Sequence, residues 1–337
     1  MTRVSMLCLL ALALSPAFAH HGTAHYFDLE NIARVEGEIV EVSWRNPHVT
    51  FQLMRTDDGG LNEIWEVEGS SANALARVGI GPEAVPVGTP VTLIGALARH
   101  GGPEMAGHVM TLPDGTDVPI WPRPAMLLGR EVAPAPLSAE AIEAERARAQ
   151  GIFRTWARPD LRGLFLEGGY LPYTAASIAA REAWNPTTDD PVLQCDPRGM
   201  SSLMNNPLPI RFVDQGNSIL MQLEEWDQER VIHLADAVDP DTQPRTLLGY
   251  SVGEWENERT LVVTTTRISD PYFDDEGTPQ SEQAIVTERF TLSADETRLD
   301  YESIHDDPYA FTEPARQAGY WDWVPGEVIR RFDCVVQ

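Results

Sequence analysis

Between Val35 and Trp44, "VEGEIVEVSW" alternates apolar and polar residues with period two, the pattern of a strand that turns one face to a core. "VTFQLMR" (Val49 to Arg55) follows the turn-like "RNPH", and "NEIWEVEG" (Asn62 to Gly69) follows "DDGG", a hairpin signal. The period then changes. In "SSANALARVGI", Ser70 or Ser71 can cap a short helix carrying Ala74, Leu75 and Val78, with Gly79 ending it. "GTPVTLIGALAR" and "GHVMTLP" add two strands. Three strands, a short helix and two strands is the element order of the five-stranded OB-type barrel, which predicts such a barrel over residues 20–112. Barrels of this kind hold sugars, peptides or metals as well as nucleic acid, so the fold does not choose the ligand.

A second β-rich region begins after Gly151. "IRFVDQGNSILMQLEEW" turns at Gln215 to Asn217, and "RVIHLAD" is a single short strand. "GYSVGEWENERTLVVTTTRI" turns at Glu256 to Glu258, "SEQAIVTERFTLSADETRLDYESIHD" turns at Ala294 to Glu296, and "VIRRFDCVV" closes the chain. Successive local hairpins predict an antiparallel meander or lipocalin-like barrel over residues 151–337, with either a small apolar ligand or its own side chains filling the interior. Residues 113–150 between the two units combine a proline-dense stretch with a capped, charged helix, "LSAEAIEAERARAQ", and read as a linker. The chain is therefore expected to be mainly β, in two units.

The first residues supply an address. Met1 to Ala19 contain Arg3, an apolar run from Met6 to Leu14 and the A-x-A site Ala17-Phe18-Ala19, the parts of a cleaved secretory signal. The run is too short to cross a bilayer, which takes about 20 apolar residues, so no membrane anchor is expected and the product is periplasmic or secreted. Cys195 and Cys334 then stand in a compartment where disulfides persist. Their pairing is the default reading, with two free buried thiols as the alternative. The formal net charge is -26, from 51 acidic and 25 basic residues, and every basic residue is arginine. Such a chain repels phosphate backbones and anionic membranes, which excludes nucleic acid as a partner and leaves small molecules and metal ions.

"AHHGTAHYFD", "VEGEIVEVSWRNPHVTF", "WEVEGSSANALARVG" and "GTPVTLIGALA" together resemble an uncharacterised family of exported bacterial proteins, a domain of unknown function that opens on His-His after its signal and carries Trp-x-Asn-Pro-His. "QCDPRGM", "GYSVGEWENERTLVVTTTRI" and "SEQAIVTERF" resemble the second half often fused to it. Gly22 stands where the relatives commonly have serine. The resemblance implies export, a small β-barrel and a β-rich partner domain, and brings no chemistry with it.

Several residues could carry function. Cleavage after Ala19 would give His20 a free α-amine beside its imidazole, with His21 next to it, a nitrogen set suited to Cu(II). His25 or His48 is the best placed completing ligand, with His100 and His108 also able to serve. The competing reading is a terminus without a specific metal. In "WRNPH", Pro47 forces Asn46 out of helical geometry, so His48 is either presented at a barrel rim as a ligand or base, or pairs with a carboxylate in a structural turn. In the second unit, His233 and His305 are candidate ligand-binding or proton-transfer groups, set against a role as satisfied structural histidines. Trp226 and Trp255 could stack a ligand or serve as core. "DPYFDDEG" lacks the spacing of an EF-hand. The chain has no nucleophile elbow, phosphate-cradling loop, dinucleotide fingerprint or His-Glu-x-x-His. The leading expectation is an exported, non-enzymatic binding protein for a small apolar ligand. The alternatives are a copper protein using His20, and an enzyme acting on a small hydrophobic substrate in the second barrel.

Overall fold

The computed structural model describes residues 26–56, 59–158, 164–166, 170–186, 188–235 and 237–336. The signal segment and the candidate ligands His20, His21 and His25 lie outside the described residues.

Two closed barrels, each with its own core, make up the chain. In the first, β1 (Phe27–Ser43) pairs antiparallel with β2 (Thr50–Thr56) and with β4 (Pro90–Ala98). β2 continues to β3 (Asn62–Glu68), and β4 to β5 (Glu104–Thr111). A parallel pairing of β3 with β5 closes the five strands. The helix α1 (Ala72–Arg77) sits between β3 and β4 as expected, capped by the Ser71 hydroxyl, which accepts from the Ala74 N–H at 3.2 Å. Ile39, Leu53, Leu75 and Leu93 are fully buried in this core.

The first part of the segment read as a linker joins this barrel. β6 (Asp117–Val118) pairs with β5, and Val118 and Ile120 are buried in the barrel core. Two helices follow, α2 (Pro122–Leu127) and α3 (Ala139–Arg148).

The second barrel comprises β7 (Thr155–Ala157), β9 (Ile210–Asp214), β10 (Ser218–Leu223), β11 (Gln228–His233), β12 (Tyr250–Asn257), β13 (Thr260–Thr266), β14 (Ile285–Leu292), β15 (Arg298–Asp306) and β16 (Ala315–Trp323), with β8 (Phe165–Leu166) on the far side of β16. β16 pairs with both β15 and β7, which closes nine strands. The neighbours are antiparallel except β11 and β12, whose short parallel contact joins Ile232 to Ser251. Two helices, α4 (Ala175–Ala183) and α5 (Met200–Leu203), lie in the connection between β8 and β9.

Alternation along β10, β14 and β15 turns every second side chain inward. Trp156, Phe212, Phe290, Tyr301 and Trp321 pack there into one apolar cluster. Beside it the Arg230 guanidinium binds Glu288, Ser251 and Thr265, and the Tyr301 hydroxyl donates to Glu288 at 3.1 Å. Every partner in this network is buried, and the Arg230–Glu288 pair is 2% and 0% exposed. A buried charge is tolerated only when it is paired and hydrogen-bonded in this way.

Candidate binding cleft between the barrels

The junction is built around one turn of the second barrel, residues Glu224 to Asp227. Glu224 is fully buried and receives four hydrogen bonds: from Arg77 Nη1 at 2.6 Å, Arg77 Nη2 at 2.5 Å, Asn73 Nδ2 at 2.9 Å and the Arg330 N–H at 2.7 Å. Arg77 and Asn73 belong to α1 of the first barrel, and Arg330 belongs to the C-terminal tail. The tail is also held by Asp227, which accepts from the Phe332 N–H at 2.9 Å, and by the Cys195–Cys334 disulfide. Asn46 of "WRNPH" completes the clamp: it bridges to Cys334, its carbonyl accepts from the Val335 N–H at 3.3 Å, and its side chain donates to Asn73 at 3.2 Å.

Where the barrels do not touch, a cleft of about 480 Å³ remains. The first barrel contributes His48, His108 and the α2 segment from Trp121 to Leu127; the second contributes Arg198, Asn206, Glu225, Phe273 and Gln317.

His108 reaches the cleft through a break in strand register. Ile94 pairs with Val109 and Gly95 with Gly107, so His108 is the extra residue of a bulge on β5. Glycine is required beside it: a Cβ on Gly107 would meet Val67 and Ile120 at 2.6 Å. The His108 carbonyl accepts from the Trp121 N–H at 3.1 Å. The His108 imidazole is 5% exposed, its Nδ1 has no hydrogen-bond partner among the described residues, and burial pushes its pKa down to about 4. It is neutral at physiological pH.

His48 is differently placed. Its Nδ1 lies 2.8 Å from the Gly69 carbonyl, which only accepts, so Nδ1 carries a hydrogen. Glu68 is 3.3 Å from the same nitrogen, and the ring tilts against Trp121 at 5.8 Å.

Arg198, from "QCDPRGM", is held on the opposite wall. It donates to Ser202 at 3.1 Å and pairs with Asp190 at 3.3 Å and Asp275 at 3.4 Å. Burial acts to lower its pKa, but Asp275, Asp190 and Glu225 outweigh that and keep it charged. Gly199 allows this placement, because a Cβ there would lie 2.2 Å from Asp270, which accepts from the Gly199 N–H at 2.6 Å. The acids of "DPYFDDEG" are tied to arginines as well: Asp274 to Arg181 at 2.9 Å, Glu276 also to Arg181, and Asp275 to Arg198.

Glu225 is 8% exposed, and its Oε2 has no hydrogen-bond partner among the described residues. Burial pushes its carboxyl pKa up to about 7, with Asp275 adding to the rise, and Arg198 and the side chains of Asn206 and Trp226 offset only part of that. The next two residues, Trp226 at φ 60° and Asp227 at φ 50°, adopt left-handed backbone without being glycine. Such conformations are costly, and the surrounding clamp holds them in place. Gln317, on β16, is 7% exposed and its Oε1 also lacks a partner among the described residues. Three buried polar groups with unmet hydrogen-bonding capacity therefore open on one space lined in part by Trp121, Phe273 and Phe332.

Residues 8–106 match a family of unknown function (DUF6152). Comparison with curated proteins gives no match. The DUF6152 match contains His48 and most of the first barrel but stops short of His108, and the opposite wall of the cleft lies beyond it.

The residues singled out in the sequence are spread around this geometry. Cys195 and Cys334 form the expected disulfide. His48 lines the cleft. Among the described residues no group of three His, Cys, Asp or Glu could hold a metal ion. Trp226 lies tilted against Phe332 at 5.1 Å, and His305 meets Phe273 edge-on at 4.8 Å, so each touches a cleft-lining ring. His305 is buried, lies 3.3 Å from the Ser303 hydroxyl, and is pushed by burial down to a pKa of about 3. His233 stacks on Tyr250 at 4.6 Å, and Trp255 is 40% exposed against Phe153. The structure does not bring these four around a common space.

Sequence reasoning named His108 only as a histidine able to complete a copper site, and missed Glu225 and Gln317. The glycine before His108 was a usable sign, since glycine inside a strand marks a bulge or a close approach. Nothing local distinguishes Glu225 from Glu224, or Gln317 from other strand glutamines.

Proposed function

We propose that this chain is an exported, non-enzymatic binding protein whose small-molecule site is the cleft between the two barrels. The observation that carries the reading is the set of three buried polar atoms, His108 Nδ1, Glu225 Oε2 and Gln317 Oε1, that line the cleft without a hydrogen-bond partner among the described residues. Leaving such a group unmet costs about 1–3 kcal/mol, a cost that a ligand offering complementary groups removes. The aromatic rings of Trp121, Phe273 and Phe332 suit the apolar part of such a ligand, and the volume is that of a small metabolite. The disulfide is compatible with the oxidising compartment that the signal segment implies.

The test is thermal unfolding of the mature chain against arylalkylamines, aromatic carboxylates and neutral aromatic alcohols, with fluorescence of the wild type and a Trp121→Phe variant followed in parallel. A ligand in the cleft raises the midpoint with concentration and changes an emission component that the variant lacks. No shift with any class, together with identical fluorescence responses in the two proteins, overturns the reading.

A further inference from the structure

We propose that the cleft selects small molecules bearing a protonated amine on an apolar or aromatic body, and that Glu225 holds the ammonium group. The inference rests on the cleft being a ligand site, as proposed above, and adds the chemical class.

The two adjacent buried carboxylates supply the argument. Glu224 is saturated by Arg77, Asn73 and the Arg330 N–H. Glu225, one residue on, is also buried, at 8% exposure, and has an oxygen with no partner among the described residues. The fold thus saturates the carboxylate that faces the barrel junction, and leaves one oxygen of the carboxylate that faces the cleft without a hydrogen-bond partner although Asn206, Trp226 and Arg198 approach it. A buried carboxylate oxygen is answered best by a charged donor, which gives the strongest class of hydrogen bond.

The rest of the wall points to the same ligand polarity. Gln317 Oε1 is a second unmet acceptor, and His108 is neutral. Arg198 faces Glu225 but is engaged by Asp190, Asp275 and Ser202, so it does not supply a free anion site. Asp275 also faces Glu225, and Asp274, Arg123 and His48 line the same space, with Asp270 behind Arg198. An anionic ligand would place a second negative charge beside Glu225 and Asp275. The excess of 51 acidic over 25 basic residues draws cations toward the chain as a whole.

The experiment is isothermal titration of the mature chain with phenethylamine, 2-phenylethanol and 3-phenylpropanoate at pH 7, each in two buffers of different ionisation enthalpy. Phenethylamine binds, with the alcohol on the order of 10- to 100-fold weaker and the carboxylate weaker still. Because Glu225 titrates near 7, seating an ammonium on its ionised form releases about half a proton. Glu225→Gln, which keeps the side-chain shape, loses at least about tenfold in amine affinity and abolishes the proton release, while its unfolding transition stays cooperative. Gln317→Met weakens the amine less and leaves the proton release intact.

Alcohol or carboxylate binding as tight as the amine, or unchanged amine affinity in Glu225→Gln, overturns the amine assignment and leaves the cleft as a site of another specificity. Binding by none of the three overturns the cleft reading itself.

Discussion

Replacing Glu225 with glutamine should make the protein more stable at alkaline pH and leave it nearly unchanged in acid. The buried carboxyl has its pKa raised from 4.5 to about 7. A carboxyl shifted upward binds its proton more tightly in the folded state than in the unfolded one. Below the unfolded value both states are protonated and nothing is lost. As pH rises from 4.5 toward 7 the unfolded chain ionises first, and the folded state loses stability until both forms are charged. A shift of this size at about 1.4 kcal/mol per unit gives a loss of about 3 kcal/mol above pH 7. Because Glu225 is 8% exposed, solvent does little to screen that figure.

Glutamine cannot ionise, so Glu225→Gln should recover up to about 3 kcal/mol at pH 8 and close to zero at pH 4.5. Chemical denaturation of wild type and variant across this range measures it, with the difference in midpoint plotted against pH. The curve should climb through the interval between the two pKa values and then flatten. A difference that does not vary with pH, whatever its size, would mean that Glu225 titrates normally, and the account of a buried, unmet carboxylate in the cleft would fail with it.

Other perturbations probe the scaffold that holds the cleft. Arg230→Met strands the Glu288 carboxylate, which is 0% exposed, and should cost about 3–5 kcal/mol; Arg230→Met with Glu288→Leu should recover most of that, as read by denaturant unfolding. Removing the disulfide with Cys195→Ala and Cys334→Ala frees a loop spanning 139 residues and should cost up to about 5 kcal/mol on the chain-entropy estimate, seen as a lower unfolding midpoint that reductant does not lower further. His305 has its pKa lowered by burial from 6.5 to about 3, so stability is full above 6.5 and is lost as pH falls toward the folded value. His305→Leu should reduce the wild-type loss between about pH 6.5 and pH 5 by about 2 kcal/mol, and equal acid sensitivity in the two proteins would refute the assignment.

The barrels were legible in the sequence because local rules settle them. Period-two alternation in "VEGEIVEVSW", the Ser71 cap and the hairpin turns of the second unit are decided within a few residues, and nothing tertiary overrides them. The segment from Asp117 to Ile120 was harder. Its prolines read as a linker, yet the barrel accepts Val118 and Ile120 where β6 extends the sheet. The disulfide followed from the count of cysteines and the address, although its effect, to pin the tail beside Asn46, depends on where two distant segments meet.

The cleft was illegible for a related reason. Each of its polar groups looks ordinary in its own strand or turn, and becomes unusual only when its neighbours are known. His108 points outward because one residue too many occupies β5. Glu224 takes the donors that α1 and the tail supply, and Glu225 Oε2 is left without a hydrogen-bond partner among the described residues. Gln317 sits on a barrel strand whose other buried positions, Ala315 and Trp321, are apolar core. A fold that satisfies Glu224 and the Arg230–Glu288 pair so completely has the means to satisfy these three as well. Single buried atoms elsewhere, such as Thr266 Oγ1 and Trp321 Nε1, also lack a partner among the described residues. Around this opening three do, beside two non-glycine residues held in left-handed backbone, and that concentration is the pattern expected where local consistency yields to function.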